Sequence, residues 1–154
     1  EGVLLSGDRP TKEMPLHTAF YETRNTTGAV VHLHSCHSVA LSMLPDANVD
    51  DFLPHLTPYS IMQLGKVKLL PYFLPGDPAM GQAVRGLAGK RSAVMLANHG
   101  PVVAGKDVRA ACYAIEEMEE TARLAMMLRG QQVVGLTKDQ VTDVVTAFDV
   151  DWEK

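Results

Sequence analysis

The chain is poor in cysteine. Its two cysteines, Cys36 and Cys112, lie far apart and form no Cys-x-x-Cys pair. Neither a disulfide framework nor a thiolate zinc site is therefore expected, which fits a reducing cytoplasm. No apolar stretch approaches the ~20 residues needed to span a bilayer, and no signal-peptide pattern opens the chain. Neither Gly-x-Gly-x-x-Gly nor Gly-x-x-x-x-Gly-Lys-[Ser/Thr] occurs, so a Rossmann dinucleotide site and a P-loop both lack support. The Gly-x-Ser-x-Gly elbow is missing as well. Positive charge is not in excess: 14 Lys and Arg against 18 Asp and Glu leave a formal net charge of -4. That balance gives no general reason to bind nucleic acid or anionic lipid. There are no repeats, no low-complexity segment and no interdomain linker. With 154 residues, 46% hydrophobic and 21% charged, the chain amounts to one globular domain with room for a sizeable core.

What is present is an alternation of apolar runs with helical patterns. Gly2–Ser6 reads as a short strand ended by the turn formers Gly7-Asp8-Arg9-Pro10. A helix follows, from the Thr11–Pro15 region to Arg24, and Pro15 is tolerable in its first turn. Ala29-Val30-Val31-His32-Leu33-His34 reads as a buried strand, Cys36–Met43 as a short helix and Lys66–Leu70 as a strand. Between them lies an irregular stretch with one helical turn near Ser60–Leu64. Ala79–Leu87 is helical. Ala93–Ala97 and Pro101–Ala104 are strands joined by the tight turn Asn98-His99-Gly100. The strongest helix runs from the N-cap Asp107 to about Arg129, with Gly130 as its stop. A last helix starts at Thr137, with Gln140 at the capping-box position. Such interleaving predicts a layered α/β domain.

The chemistry centres on His32 and His34. Strand side chains alternate faces, so residues two apart point to the same side, ~7 Å apart along the strand. Two imidazoles converging from a strand end make half of a divalent metal site. Either histidine could instead be an ordinary strand residue, one capping the strand end and one hydrogen-bonded in the core. On residue chemistry, the best completing group is His99, at a turn between two apolar runs. Glu13, at the start of the first helix, comes next, and His17 on the same helix face third. A buried helix histidine bonded to a backbone carbonyl is the plainer reading of His17. Surface positions are the plainer reading of His37 and His55. The carboxylates Glu116, Glu117, Glu119 and Glu120 read as the solvated face of the long helix.

Three segments together carry a resemblance: Pro10-Thr11-Lys12-Glu13, then Ala29-Val30-Val31-His32-Leu33-His34-Ser35, then Leu96-Ala97-Asn98-His99-Gly100. In this order they resemble the motifs of the class II aldolase/adducin family, over most of the chain from Ser6 to about Arg129. Leu5–Glu13, Leu56-Thr57-Pro58-Tyr59 and Pro75-Gly76-Asp77-Pro78 are most similar to the branch that decarboxylates 3-oxo-tetronate 4-phosphates. The resemblance implies a three-layer α/β/α sandwich around a mixed, largely antiparallel sheet. It also implies a homotetramer with active sites between subunits, and one divalent ion, Zn before Mn, Co or Fe; the cytoplasmic location is expected from the cysteine usage. Its ligands would be Glu13, His32, His34 and His99, with Glu13 also the acid/base. Thr11 and Lys12 would hold the substrate phosphate, although a lysine there departs from the aldolases' serine. Tyr59 falls where a tyrosine reaches a neighbouring subunit's site and helps move a proton; a structural loop tyrosine is the alternative. The family's Gly-Asn-x-Ser phosphate loop, which precedes the glutamate motif, is absent, and a longer parent protein is expected.

The implied reaction turns a 3-oxo-tetronate 4-phosphate into carbon dioxide and dihydroxyacetone phosphate through a metal-stabilised enediolate. Retro-aldol cleavage or epimerisation of a sugar phosphate would use the same centre, so these stay open. A non-catalytic adducin-like scaffold is a further alternative, marked by loss of metal ligands, and all four candidates are present here. A structural metal is disfavoured because such sites are usually closed and rich in thiolates.

Overall fold

The structure, a computed structural model, describes residues 3–152. Ten elements follow in order: α1 (Met14–Thr23), β1 (Ala29–His32), α2 (Cys36–Ser42), α3 (Pro58–Leu64), β2 (Lys68–Leu70), α4 (Pro78–Gly86), β3 (Ala93–Leu96), β4 (Gly100–Gly105), α5 (Val108–Met127) and α6 (Lys138–Ala147). The four strands form one sheet in the order β1-β4-β3-β2. β4 pairs antiparallel with both β1 and β3, while β2 runs parallel to β3. Mixed and mostly antiparallel, the sheet matches the expectation.

Period-two alternation sorts the central strands into two cores. Ala93, Met95 and Val103 face one side, packing with Leu41 of α2, Leu64 of α3 and Ala114, Ile115 and Met118 of α5. Val94, Leu96, Val102 and Ala104 face the other, against Leu16, Ala19 and Phe20 of α1 and Met80 and Val84 of α4. Helices on both faces explain why β3 is buried at every position and reads as an unbroken apolar run. The result is three layers, α/β/α. One close approach matters for the site: a Cβ at Gly81 of α4 would lie 2.5 Å from the Pro15 carbonyl oxygen. Glycine there lets α4 back the first turn of α1, where Glu13 sits.

Three local expectations change. Residues 3–6 form no strand, and Gly2 lies outside the described residues. Val3, Leu4 and Leu5 are exposed, and none of the four strands pairs with this segment. β1 ends at His32, so His34 stands past the strand, in the turn into α2. Glu119 is held against α2 rather than solvated, as described below. The α6 start is as expected, with the reciprocal Thr137–Gln140 capping box in place.

Candidate metal centre

His32 closes β1 opposite Val102 of β4. Its ring Nδ1 lies 2.9 Å from the Pro101 carbonyl oxygen. A carbonyl can only accept, so Nδ1 carries the hydrogen and the neutral ring presents Nε2 as a bare lone pair. That Nε2 is 3.0 Å from Oε2 of Glu13. The contact lacks hydrogen-bond geometry, and both atoms are buried without a hydrogen-bond partner. Two electron-rich atoms thus face each other out of reach of water, an unfavourable contact unless a positive charge lies beside them.

Glu13 reaches this position from the turn into α1. Its backbone N–H donates to Thr11 Oγ1 at 3.3 Å, and its carbonyl accepts from Leu16 N–H at 3.0 Å. Its other carboxylate oxygen, Oε1, is 3.5 Å from His99 Nε2. His99 hangs from the three-residue turn between β3 and β4, where Asn98 adopts the left-handed backbone (φ +58°) that asparagine tolerates. Ser42 of α2 fastens that turn, its Oγ accepting from Asn98 N–H at 3.0 Å. Gly100 brings the turn against Leu33 and His34, since a Cβ there would lie 2.1 Å from the Leu33 carbonyl oxygen and 3.3 Å from His34 Cα. The three rings stand 4.9–5.1 Å apart, centroid to centroid, and each offers a nitrogen within 4.8 Å of the others. Three imidazoles beside a buried carboxylate are a donor set suited to a zinc-like divalent ion.

Burial pushes the pKa values of His32 and His99 down. For His32 the Pro101 hydrogen bond and the Glu13 charge work upward without reversing the effect. Both rings are therefore mainly neutral at neutral pH, the form a metal takes.

The remaining candidates sort differently. His17 is also pushed down by burial, and its ring bonds the Val30 carbonyl, a structural role. His55 pairs with Asp51 at 2.9 Å and lies near Trp152, and His37 binds Glu119; neither joins the cluster. Thr11 and Lys12 are exposed, and the Lys12 charge is among the influences lowering His99. Gly76 packs on Lys12, a Cβ there meeting its backbone oxygen at 3.5 Å. Tyr59 stands on the first turn of α3, 61% exposed. Sequence reasoning missed Ser42 and Glu119, whose partners lie 56 and 81–82 residues away in the chain. A cavity of about 480 Å³ between the ends of α2 and α5, lined by Leu41, Phe52 and Leu128 together with Asp46, Asp51 and Arg129, contains none of the clustered histidines.

Fold and cluster together define a class: an α/β sandwich with three histidines able to hold a metal ion gathered at the end of a mixed sheet, beside a buried glutamate. The chain belongs to the class II aldolase family: residues 1–126 match the Class II Aldolase and Adducin N-terminal domain. It is 42% identical over 143 residues to the 3-oxo-tetronate 4-phosphate decarboxylase of Pectobacterium atrosepticum, covering 93% of this chain and 66% of the relative. It is 33% identical over 124 residues to an L-fuculose phosphate aldolase of Methanococcus maripaludis, covering 80% of this chain and 64% of the relative. The crystal structure of YgbL from Escherichia coli superposes with a TM-score of 0.90 at 40% identity, over 93% of this chain and 69% of that one. The chain thus spans about two thirds of the curated relatives it matches.

Proposed function

We propose that the protein is a metal-dependent carboxy-lyase that converts a 3-oxo-tetronate 4-phosphate into dihydroxyacetone phosphate and carbon dioxide. Glu13, His32, His34 and His99 would hold one divalent ion, zinc first, with Mn, Co or Fe as alternatives. The observation that carries this reading is the buried, unbonded contact between His32 Nε2 and Glu13 Oε2 at 3.0 Å. The similarity to 3-oxo-tetronate 4-phosphate decarboxylases supplies the substrate class.

When bound, the ion supplies Lewis acidity toward the substrate's keto oxygen, stabilising the negative charge that develops there. The chain's residues do the rest. Thr11 and Lys12 sit beside Glu13 and bind the phosphate, Lys12 as a point charge. That anchor sets the keto group toward the histidines and leaves the carboxylate unclamped. Carbon dioxide departs as its bond to carbon breaks, and the electron pair passes into the neighbouring keto group. Glu13, free of the ion once substrate is bound, would pass to that carbon a proton taken up from solvent. Tyr59, exposed on α3, serves the site of a neighbouring subunit in a cytoplasmic homotetramer. The second reading, retro-aldol cleavage of a sugar phosphate, is supported by the similarity to L-fuculose phosphate aldolases; it uses the same ligands.

Product analysis separates them. Zinc-loaded protein given a 3-oxo-tetronate 4-phosphate is expected to release carbon dioxide and dihydroxyacetone phosphate in equal amounts, and to leave L-fuculose 1-phosphate intact. Dihydroxyacetone phosphate from the fuculose ester, without carbon dioxide from the oxo acid, would make it an aldolase. Turnover of neither would remove the catalytic reading and favour a scaffold.

A further inference from the structure

We infer that Glu119 of α5 is a positioning residue for the metal centre: it locks α2, and α2 in turn holds both His34 and the His99 turn. This rests on the metal reading above.

The first backbone N–H groups of a helix have no intrahelical acceptor, and the N-cap residue of α2, Ser35, makes no side-chain bond to them. Glu119 supplies the acceptors from another helix. Its Oε1 accepts from His37 N–H at 2.9 Å and His37 Nδ1–H at 2.8 Å. Its Oε2 accepts from Ser38 N–H at 2.9 Å and Ser38 Oγ–H at 2.8 Å. Four donors on one carboxylate fix both the height and the rotation of α2 on α5, and the anion sits at the positive end of the helix. Ser38 is fully buried, so water is a poor substitute.

The consequence runs both ways along α2. Toward its start, only Ser35 separates His34 from the helix. His34 is the exposed member of the histidine cluster and lies beyond the end of β1, where no ladder bond holds it. On one side the Leu33 N–H bond to the Pro101 carbonyl at 3.2 Å and the Gly100 contact hold it, and on the other the pinned helix does. Toward its end, Ser42 Oγ donates to the Val39 carbonyl at 2.7 Å and accepts from Asn98 N–H, fastening the turn that carries His99. A slip of α2 would move His34 and loosen His99 together while leaving His32, bonded to Pro101, in place. Groups bonded directly to a metal ligand are typically worth 10–100-fold in affinity; Glu119 acts one step further out, so the low end of that range is expected.

The test uses cobalt(II) as the probe, titrated into purified, metal-stripped protein, with Kd and the visible absorption spectrum as readouts. Glu119→Gln is expected to raise Kd about tenfold and to alter the cobalt absorption, because the geometry around the ion changes. Glu120→Gln, one residue on and exposed, is expected to match the wild type. Ser38→Ala, which removes one of the four bonds, is expected to weaken binding less, and it covers the case in which Glu119→Gln does not fold. If Glu119→Gln lowers the melting temperature of the metal-free protein but leaves Kd and spectrum unchanged, Glu119 is only a helix cap and the inference is overturned. For Ser38→Ala alone, unchanged Kd and spectrum would overturn it equally. Absence of cobalt binding by the wild type would overturn the metal reading itself, a result distinguishable from either.

Discussion

At the scale of single residues, the cluster leaves buried polar atoms without hydrogen-bond partners. Glu13 is 5% exposed, and its Oε2 stands 3.0 Å from Nε2 of His32 with no hydrogen bond joining them. Buried polar atoms normally find partners; exceptions of this kind cluster where function demands them. The substitution Glu13→Gln makes the point measurable, because a glutamine amide can donate to His32 Nε2 where a carboxylate cannot. At mildly alkaline pH, where His32 is neutral, metal-free Glu13→Gln is expected to be more stable than metal-free wild type by about 1 kcal/mol. The same variant is expected to bind metal more weakly. Urea unfolding of the stripped proteins checks this; a variant equal to or less stable than wild type would speak against the opposed lone pairs.

At the scale of elements, much was legible and the reasons are local. The apolar runs 93–97 and 101–104 became β3 and β4, and Asp107 caps α5 through Ala110 N–H at 2.8 Å. The Thr137–Gln140 box starts α6. Each of these signals lies within a few residues of its effect. Residues 3–6 fail for the opposite reason: alternating or apolar sequence makes a strand only where another strand offers its edge. Glu119 was hidden in a run of carboxylates, since helix position alone cannot reveal a donor on α2. Gly100 belongs to this scale too. Its lack of a side chain lets β4 start against Leu33 and His34. Gly100→Ala forces the backbone apart and is expected to cost about 1–3 kcal/mol, together with a large loss of metal affinity, as His34 and His99 separate. Denaturant melts with and without metal check both parts; retained affinity would show that the close approach does not set the site.

For the whole molecule, composition and element order were enough for a layered α/β domain, but not for which strands neighbour which. The order β1-β4-β3-β2 places His32 beside the strand that follows His99, and only that pairing makes one cluster from residues 67 apart. That His32, His34, His99 and Glu13 stand close together was readable from their types and from their positions at strand ends and a helix start; the groups that hold them in place were not. Burial of several histidines also has a global consequence. His17, His32 and His99 all bind protons less readily when folded, burial being the main cause. The unfolded chain, with histidines near 6.5, takes up protons first as pH falls. Stability of the metal-free protein is thus expected to be full above that value and to decline below it. A flat urea midpoint from slightly alkaline pH down to about 5.5 would contradict this. The most direct measurement of all is the metal content of dialysed protein beside His32→Ala and His99→Ala. About one divalent ion per chain in the wild type, lost in both folded variants, is the expected result; a metal-free wild type, or variants that keep their full complement, would contradict a cation at this cluster.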